Sequence, residues 1–89
     1  MDELIRWTID VDRRLVTMKA FRGRSTIRAS EVAELSGRSV QNISHALIEM
    51  EEKGLVESVV PDKHSWKKYM LTIDGQKVLG ELEKKNLLQ

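Results

Sequence analysis

The stretch SGRSVQNISHALIEMEEKGLV, residues 36–56 of the 89-residue chain, carries a complete set of helix signals. Ser39 is predicted as the N-cap, because its hydroxyl can accept a hydrogen bond from a free amide of the first turn. Gly54 is predicted to end the helix in a left-handed conformation, with Leu55 in contact with Met50. The apolar residues between these ends follow at spacings of 3, 4 and 3 and predict one buried face: Val40, Ile43, Leu47 and Met50.

Polar side chains occupy the opposite face of this helix. On a helical wheel, the direction opposite the apolar series falls on His45, with Gln41 and Asn42 beside it. The acidic residues Glu49 and Glu52 follow only in the later turns. This order predicts that the N-terminal end of the helix is the end that can approach an anionic surface. An ordinary solvated face is the alternative interpretation.

A shorter helix precedes this one along the chain. Ser30 is predicted as its N-cap, and Gly37 is predicted to end it. Three apolar residues give it an inner face: Val32, Ala33 and Leu35. Two helices joined by a glycine turn over residues 30–54 predict a helix-turn-helix arrangement.

Two segments rich in apolar residues, 55–60 and 69–73, follow the second helix. Their composition predicts the two strands of a hairpin over residues 55–73. Thr72 is predicted to cap a last helix over residues 74–86. Three residues of that helix are predicted to point inward: Val78, Leu79 and Leu82.

Residues 2–22 predict a long N-terminal helix with two apolar stripes, roughly 150° apart on the wheel. One stripe consists of Leu4, Trp7, Thr8, Val11, Leu15 and Met18, and the other of Ile5, Ile9, Val16 and Ala20. Two stripes indicate that the helix is covered on two sides, by the core and by a partner subunit. A break into two helices near residues 10–12 is an equally supported alternative. After Gly23, residues 25–28 predict a short extended piece.

The chain has 15 basic and 14 acidic residues, a net charge of +1. The charges are unevenly placed. Residues 46–60 have one Lys and four Glu (−3), residues 61–72 have three Lys and one Asp (+2), and residues 23–45 have three Arg and two Glu (+1). Two weakly basic segments therefore flank an acidic one.

Several classes of protein lack support in the sequence. Cysteine is absent, and no apolar run approaches the ~18 residues that a membrane span needs. The first residues lack a signal-peptide core, so we expect a soluble cytoplasmic protein. The two histidines, His45 and His64, have no metal-ligand spacing, and no serine lies in a glycine elbow. We therefore predict no catalytic residue, no metal and no cofactor, and a protein that is not an enzyme.

The segments ASEVAELSGRSVQNISHALIEMEEKGLVE (29–57) and YMLTIDGQKVLGEL (69–82) resemble the winged helix-turn-helix family of transcription regulators. The helices at both ends are most similar to dimeric regulators of the multiple-antibiotic-resistance type, although this chain is shorter than typical members. The resemblance covers about residues 15–82. It implies one α+β domain over residues 1–89, mainly α with a small β-hairpin, the wing. It also implies sequence-specific binding of double-stranded DNA by a homodimer.

The resemblance makes the second helix of the motif the recognition helix. Polar groups on this helix and at its N-terminus can contact bases and phosphates, and they comprise Arg38, Ser39, Gln41, Asn42, Ser44 and His45. Gln41 and Asn42 could each offer a paired donor and acceptor to adenine. The wing candidates are Lys63, His64, Lys67 and Lys68. Trp66 either packs on the hairpin or contacts DNA, and packing is favoured.

Two further groups of residues complete the predicted sites. Arg24 and Arg28 are candidates for the DNA backbone, and a solvated or salt-bridged role is equally supported. The dimer interface is predicted to include Leu4, Ile5, Ile9, Val78 and Leu82. The rival interpretation is a winged-helix protein-interaction module that does not bind DNA. A small-molecule pocket between the dimer helices is a third possibility, and no sequence feature names its ligand.

Overall fold

Five helices and one β-hairpin make up the described part of the chain, residues 2–59 and 67–88 of a computed structural model. The α+β class and the order of the motif's elements are as predicted. The elements are α1 (Asp2–Ile9), α2 (Asp12–Ala20), α3 (Ala29–Ser36), α4 (Val40–Glu52), β1 (Val56–Val59), β2 (Lys68–Leu71) and α5 (Ile73–Lys84).

The N-terminal region is two helices, so the prediction of one helix over residues 2–22 is wrong and the alternative break is confirmed. Val11 is extended, with φ −126° and ψ 119°, and precedes the first residue of α2. A break leaves carbonyl groups at the end of the first helix without helical partners. Arg14 satisfies one of them, because its Nη1 donates to the Trp7 carbonyl oxygen at 2.9 Å.

Helix α3 begins one residue before Ser30, so the prediction of Ser30 as N-cap is wrong. Arg28 occupies the cap position, and its backbone N–H donates to Glu31 Oε1 at 3.0 Å. The Glu31 carboxylate therefore satisfies the backbone amide of the cap residue itself, which is the part of a capping box that the N3 glutamate supplies. At the other end, Gly37 is left-handed (φ 74°), as its predicted role requires, and donates to the Ala33 carbonyl at 2.9 Å.

Both ends of α4 follow the sequence predictions. The Ser39 hydroxyl accepts a hydrogen bond from the Asn42 amide at 3.0 Å. Gly54 has φ 78°, and the Leu55 amide donates to the Met50 carbonyl at 2.9 Å. This last bond is the one that a Schellman ending forms.

The core is built around the inner face of α4. Ile43, Leu47 and Met50 are fully buried there. Val40 is 50% exposed, so its predicted burial is wrong: it is the first residue of the helix, beyond the turns that the core covers. Other elements complete the core with Met18, Phe21, Ile27, Val32, Leu55, Val56 and Tyr69.

The hairpin pairs its two strands antiparallel, from Val56 opposite Leu71 to Val59 opposite Lys68. The predicted extended piece near residues 25–28 joins its edge as a single bridge. Ile27 and Tyr69 exchange backbone hydrogen bonds of 3.0 and 2.9 Å. The segment before α3 is therefore fixed to the hairpin.

Thr72 joins α5 to the end of α4. Its hydroxyl accepts from the Gly75 amide at 3.1 Å, which confirms the predicted cap, and donates to the Gly54 carbonyl at 2.7 Å. Gly75 lies so close to the Leu55 backbone that an added Cβ would be 2.0 Å from the Leu55 carbonyl oxygen. The hairpin, α4 and α5 therefore meet at one tightly packed point.

Helices α1 and α5 contribute to the core of the chain itself. Ile5, Val78 and Leu82 are at most 6% exposed within the single chain. The three side chains therefore pack in the core of the single chain, and their predicted part in a dimer interface stays a prediction. Leu4 is partly buried and Ile9 is 38% exposed. Among residues 2–59 and 67–88, no helix combines the length and the apolar character that a bilayer crossing requires.

Candidate nucleic-acid interface

The outer face of α4 is an exposed stripe one helix long. Gln41, His45, Ile48 and Glu52 follow at spacings of 4, 3 and 4 and are all exposed. These spacings place the four side chains on one side of a helix, opposite the buried residues of the core. His45 lies where the helical wheel places it. Ile48 is 48% exposed, so the stripe also presents apolar surface.

The remaining candidates of the recognition helix flank this stripe. Asn42 and Ser44 are half-buried, and Ser39 is exposed. The Ser39 hydroxyl already accepts the Asn42 amide, and its own proton can still be donated to a phosphate oxygen. The six predicted positions therefore fall on one end of α4, with differing exposure.

Arg38 is held by two side chains at the N-terminal end of α4. Its Nη1 donates to Asn42 Oδ1 at 3.0 Å, and its Nη2 donates to the Asp12 carboxylate. The Arg38 side chain is 30% exposed and that of Asp12 is 70% exposed. The sequence prediction treated Arg38 only as a free cation and did not identify its link to α2.

Glu49 is also tied to α2. Its carboxylate accepts from Arg13 Nη2 at 2.6 Å, from Arg13 Nε at 3.2 Å and from Arg14 Nε at 3.3 Å. The hydrogen bonds from Arg13 are the main cause that lowers the pKa of Glu49, and the same contact raises the pKa of Arg13. The first acid of α4 is therefore neutralised within the protein, and the exposed acids Glu51 and Glu52 lie at its far end.

An aromatic ring supports this arrangement of cations. The Arg14 guanidinium lies 3.8 Å from the centre of the Trp7 ring, and Lys53 Nζ lies 5.5 Å from it. Such cation–π contacts hold a charged group against an apolar surface. Arg14 therefore contacts α1 through Trp7 and α4 through Glu49, which fixes the break between α1 and α2 against α4.

The wing is described in part. Lys67 and Lys68 are exposed at the start of β2. The candidates Lys63 and His64, and the choice between two roles for Trp66, lie outside the described residues.

The two arginines before α3 occupy different environments. Arg24 is exposed at the edge of a groove of about 430 Å³ between α2 and α3. Arg28 is half-buried at the cap of α3. Leu35, which was predicted to face inward, is 67% exposed at this groove, because it lies at the last turn of α3.

Metal chemistry has no visible support in the part of the chain that the structure describes. No group of three or more His, Cys, Asp or Glu side chains is arranged there to hold an ion. The charged groups that do meet among the described residues are salt bridges of arginine or lysine with a carboxylate.

Comparison with known proteins places the fold. No family model and no curated protein matches the chain. The structure is similar to the AntR antimony-specific transcriptional repressor, with a TM-score of 0.78 and 18% identity over 96% of this chain and 73% of that one. It is also similar to the PcaV transcriptional regulator of Streptomyces coelicolor, with a TM-score of 0.69 and 19% identity over 80% of this chain and 53% of that one.

These likenesses confirm the predicted winged helix-turn-helix fold. AntR is a transcriptional repressor and PcaV a transcriptional regulator. In this fold α4 is the second helix of the helix-turn-helix motif.

Proposed function

We propose that this chain is a sequence-specific, double-stranded DNA-binding regulator of transcription that acts in the cytoplasm. The observation that carries the proposal is the division of α4 into two faces. Ile43, Leu47 and Met50 are fully buried, while Gln41 and His45 are exposed on the opposite side. A helix anchored in this way can insert its outer side chains into the major groove without disturbing the core.

The charge distribution favours insertion by the N-terminal end of α4. The first turn contains no acid, and its free amide groups favour phosphate. Pairing with Arg13 and Arg14 reduces the repulsion that Glu49 would exert on the DNA backbone. Glu52 lies at the far end, where a helix that enters at an angle stays outside the groove.

Each polar group of the interface has a chemical role in this arrangement. Gln41 can donate to and accept from one base edge, and His45 can donate to a guanine acceptor or a phosphate. Ser39 and Ser44 are suited to phosphate oxygens. The wing contacts the backbone beside the groove through four polar or basic side chains, which are Lys63, His64, Lys67 and Lys68. Arg24 and Arg28 reach the backbone on the side of α3.

The active species is proposed to be a homodimer on a near-palindromic site. Two recognition helices about 34 Å apart would then occupy successive major grooves. Ile9 supplies exposed apolar surface on α1 for this contact, and Leu4, on the other stripe of α1, is half-buried. No effector ligand is assigned.

A salt titration tests DNA binding. A site is selected from random DNA, and its affinity is measured by fluorescence anisotropy at two salt concentrations, beside a scrambled duplex of equal length. We expect tighter binding to the selected site and a steep loss of affinity with salt, because phosphate contacts release counterions. Failure to bind any duplex at low salt would overturn the proposal and favour the protein-interaction module.

A further inference from the structure

Three side chains form a hydrogen-bonded chain from α2 to the recognition helix: Asp12, Arg38 and Asn42. We propose that Arg38, held by Asp12, is a positioning residue that orients the Asn42 amide as a donor toward a guanine edge. The inference rests on the proposed DNA binding and deepens it, because it assigns a base preference to one position of the interface.

The oxygen of the Asn42 side-chain amide, and not its nitrogen, faces Arg38. Arg38 Nη1 lies 3.0 Å from Asn42 Oδ1. A guanidinium carries only donors, so the amide atom at this distance must be the carbonyl oxygen. The contact therefore fixes the amide orientation and would be lost if the group were rotated by half a turn.

The nitrogen of the Asn42 side-chain amide, Nδ2, is available to a ligand. Within residues 2–59 and 67–88, Asn42 Nδ2 donates to no group of the protein. The Asn42 backbone amide is held separately by the Ser39 hydroxyl at 3.0 Å. Since the residue is half-buried near the N-terminus of α4, its side chain has little freedom to turn away. The two protons of Nδ2 are the groups left for a ligand.

Asp12 holds the other side of the Arg38 guanidinium. Arg38 Nη2 donates to its carboxylate. Asp12 is the first residue of α2 and is 70% exposed, so the pair adds little to the stability of the fold. Its effect is to hold the guanidinium in place beside α4.

The fixed orientation of the Asn42 amide determines which base it can pair with. A paired contact with adenine needs Oδ1 to accept from adenine N6 while Nδ2 donates to N7. Arg38 already donates to one lone pair of Oδ1, and its positive charge disfavours the approach of adenine N6 as a second donor. Guanine offers two acceptors, N7 and O6, and no donor at that edge. The orientation of Asn42 therefore favours guanine, in contrast to the paired adenine contact that the sequence suggested.

The test measures base preference at one position. Asn42→Ala first identifies the contacted base pair in a site selected from random DNA. Affinities for all four base pairs at that position are then measured for the wild type, Asp12→Asn, Asn42→Asp and the matched control Asp10→Asn. Asp10 is exposed two residues before the start of α2, so its substitution makes the same change of charge nearby.

We expect the wild type and Asp10→Asn to prefer guanine over adenine, and Asp12→Asn to lose about fivefold of that discrimination. Asn42→Asp replaces the donor by an acceptor and should move the preference to cytosine, whose N4 group donates. A wild-type preference for adenine would overturn the inference, as would an Asp12→Asn variant with unchanged discrimination.

A second readout needs no DNA. The side-chain amide resonance of Asn42 should shift in Asp12→Asn and stay fixed in Asp10→Asn, with unchanged backbone resonances for the hairpin. An unchanged Asn42 resonance in Asp12→Asn overturns the orientation by Arg38, whatever the DNA result. Absence of any sequence-specific binding, with the resonance shifted as expected, overturns the proposed function and the base preference while leaving the orientation supported.

Discussion

Arg13 donates two hydrogen bonds to the carboxylate of Glu49, from Nη2 at 2.6 Å and from Nε at 3.2 Å. The two residues lie on different helices and are separated by 36 positions in the sequence. Their contact joins α2 to the recognition helix and neutralises the acid of α4 nearest to the proposed DNA surface. The pair therefore affects both stability and binding, and the two effects can be measured separately.

The way the free energy of unfolding changes at acid pH should depend on Glu49. The hydrogen bonds from Arg13 hold the pKa of Glu49 below its ordinary value of 4.5. A carboxylate with a lowered pKa in the folded state adds stability above the unfolded pKa and loses it as pH falls through the folded pKa. Glu49→Gln should therefore be less stable than the wild type at pH 7, and the difference should shrink below about pH 4.

Urea unfolding between pH 3 and pH 7 checks this prediction. Glu52→Gln is the matched control, since Glu52 is an exposed acid of the same helix. A constant difference between Glu49→Gln and the wild type over this range would contradict the assignment.

Packing around Gly75 should make this position intolerant of any side chain. An added Cβ would lie 2.0 Å from the Leu55 carbonyl oxygen and 2.9 Å from Leu71 Cδ2. Gly75→Ala should lower the free energy of unfolding by about 1–3 kcal/mol, because the backbone itself must move.

Gly80, on the same helix, provides the matched control for this measurement. Apart from its own helix backbone and chain neighbours, no atom of the described residues lies within 4 Å of a Cβ placed there. Gly80→Ala should stabilise the protein by up to about 1 kcal/mol through helix propensity. Equal effects of the two substitutions in urea unfolding would show that α5 does not pack against Leu55 as described.

Local signals explain why much of the fold could be predicted from the sequence. Ser39, Gly37, Gly54 and Thr72 act on residues three to five positions away, and a one-chain pattern contains both partners. The burial of the α4 stripe follows from helical spacing. The same spacing led to a wrong prediction at Val40, because a wheel does not show where a neighbouring element ends.

Long-range contacts explain what the sequence could not supply. The contacts of Glu49 with α2 and of Arg38 with Asp12 depend on the angle between helices, which no local pattern encodes. The burial of Ile5 against α5 has the same origin. An apolar stripe on α1 could face either the core or a partner subunit. Only the packed structure shows that Ile5 is buried and Ile9 is exposed.

The proposed homodimer predicts that substitution of Ile9 affects self-association, whereas substitution of Ile5 affects stability. Ile9→Glu should weaken self-association by about tenfold or more, because it places a charge in an apolar contact, without unfolding the chain. Ile5→Ala should instead cost about 2–5 kcal/mol of stability, because Ile5 is 6% exposed in the core.

Sedimentation equilibrium checks the association. Ile73→Glu is the matched control, since Ile73 is 71% exposed on α5, away from α1 in the sequence. A monomeric wild type at all concentrations, or equal weakening by Ile9→Glu and Ile73→Glu, would argue against a contact through α1.

The wing lysines should contribute to affinity without reading sequence. Lys67→Ala removes a cation at the start of β2 and should weaken selected and scrambled duplexes by the same factor. The slope of log affinity against log salt should fall by about 1, because one fewer counterion is released. Lys77→Ala removes an equally exposed charge on α5 and should leave the slope unchanged. A base-specific effect of Lys67→Ala would assign the wing a different role.

The affinity of Gln41→Ala for a selected DNA site tests the central claim most directly. Gln41 lies at the exposed N-terminal end of α4, and Gln76 is an exposed glutamine on α5 that serves as the matched control. If the outer face of α4 reads bases, Gln41→Ala should lose about 1–3 kcal/mol on the selected site and relax preference at one base pair. Gln76→Ala should bind like the wild type. Unchanged affinity and unchanged preference in Gln41→Ala would contradict the account.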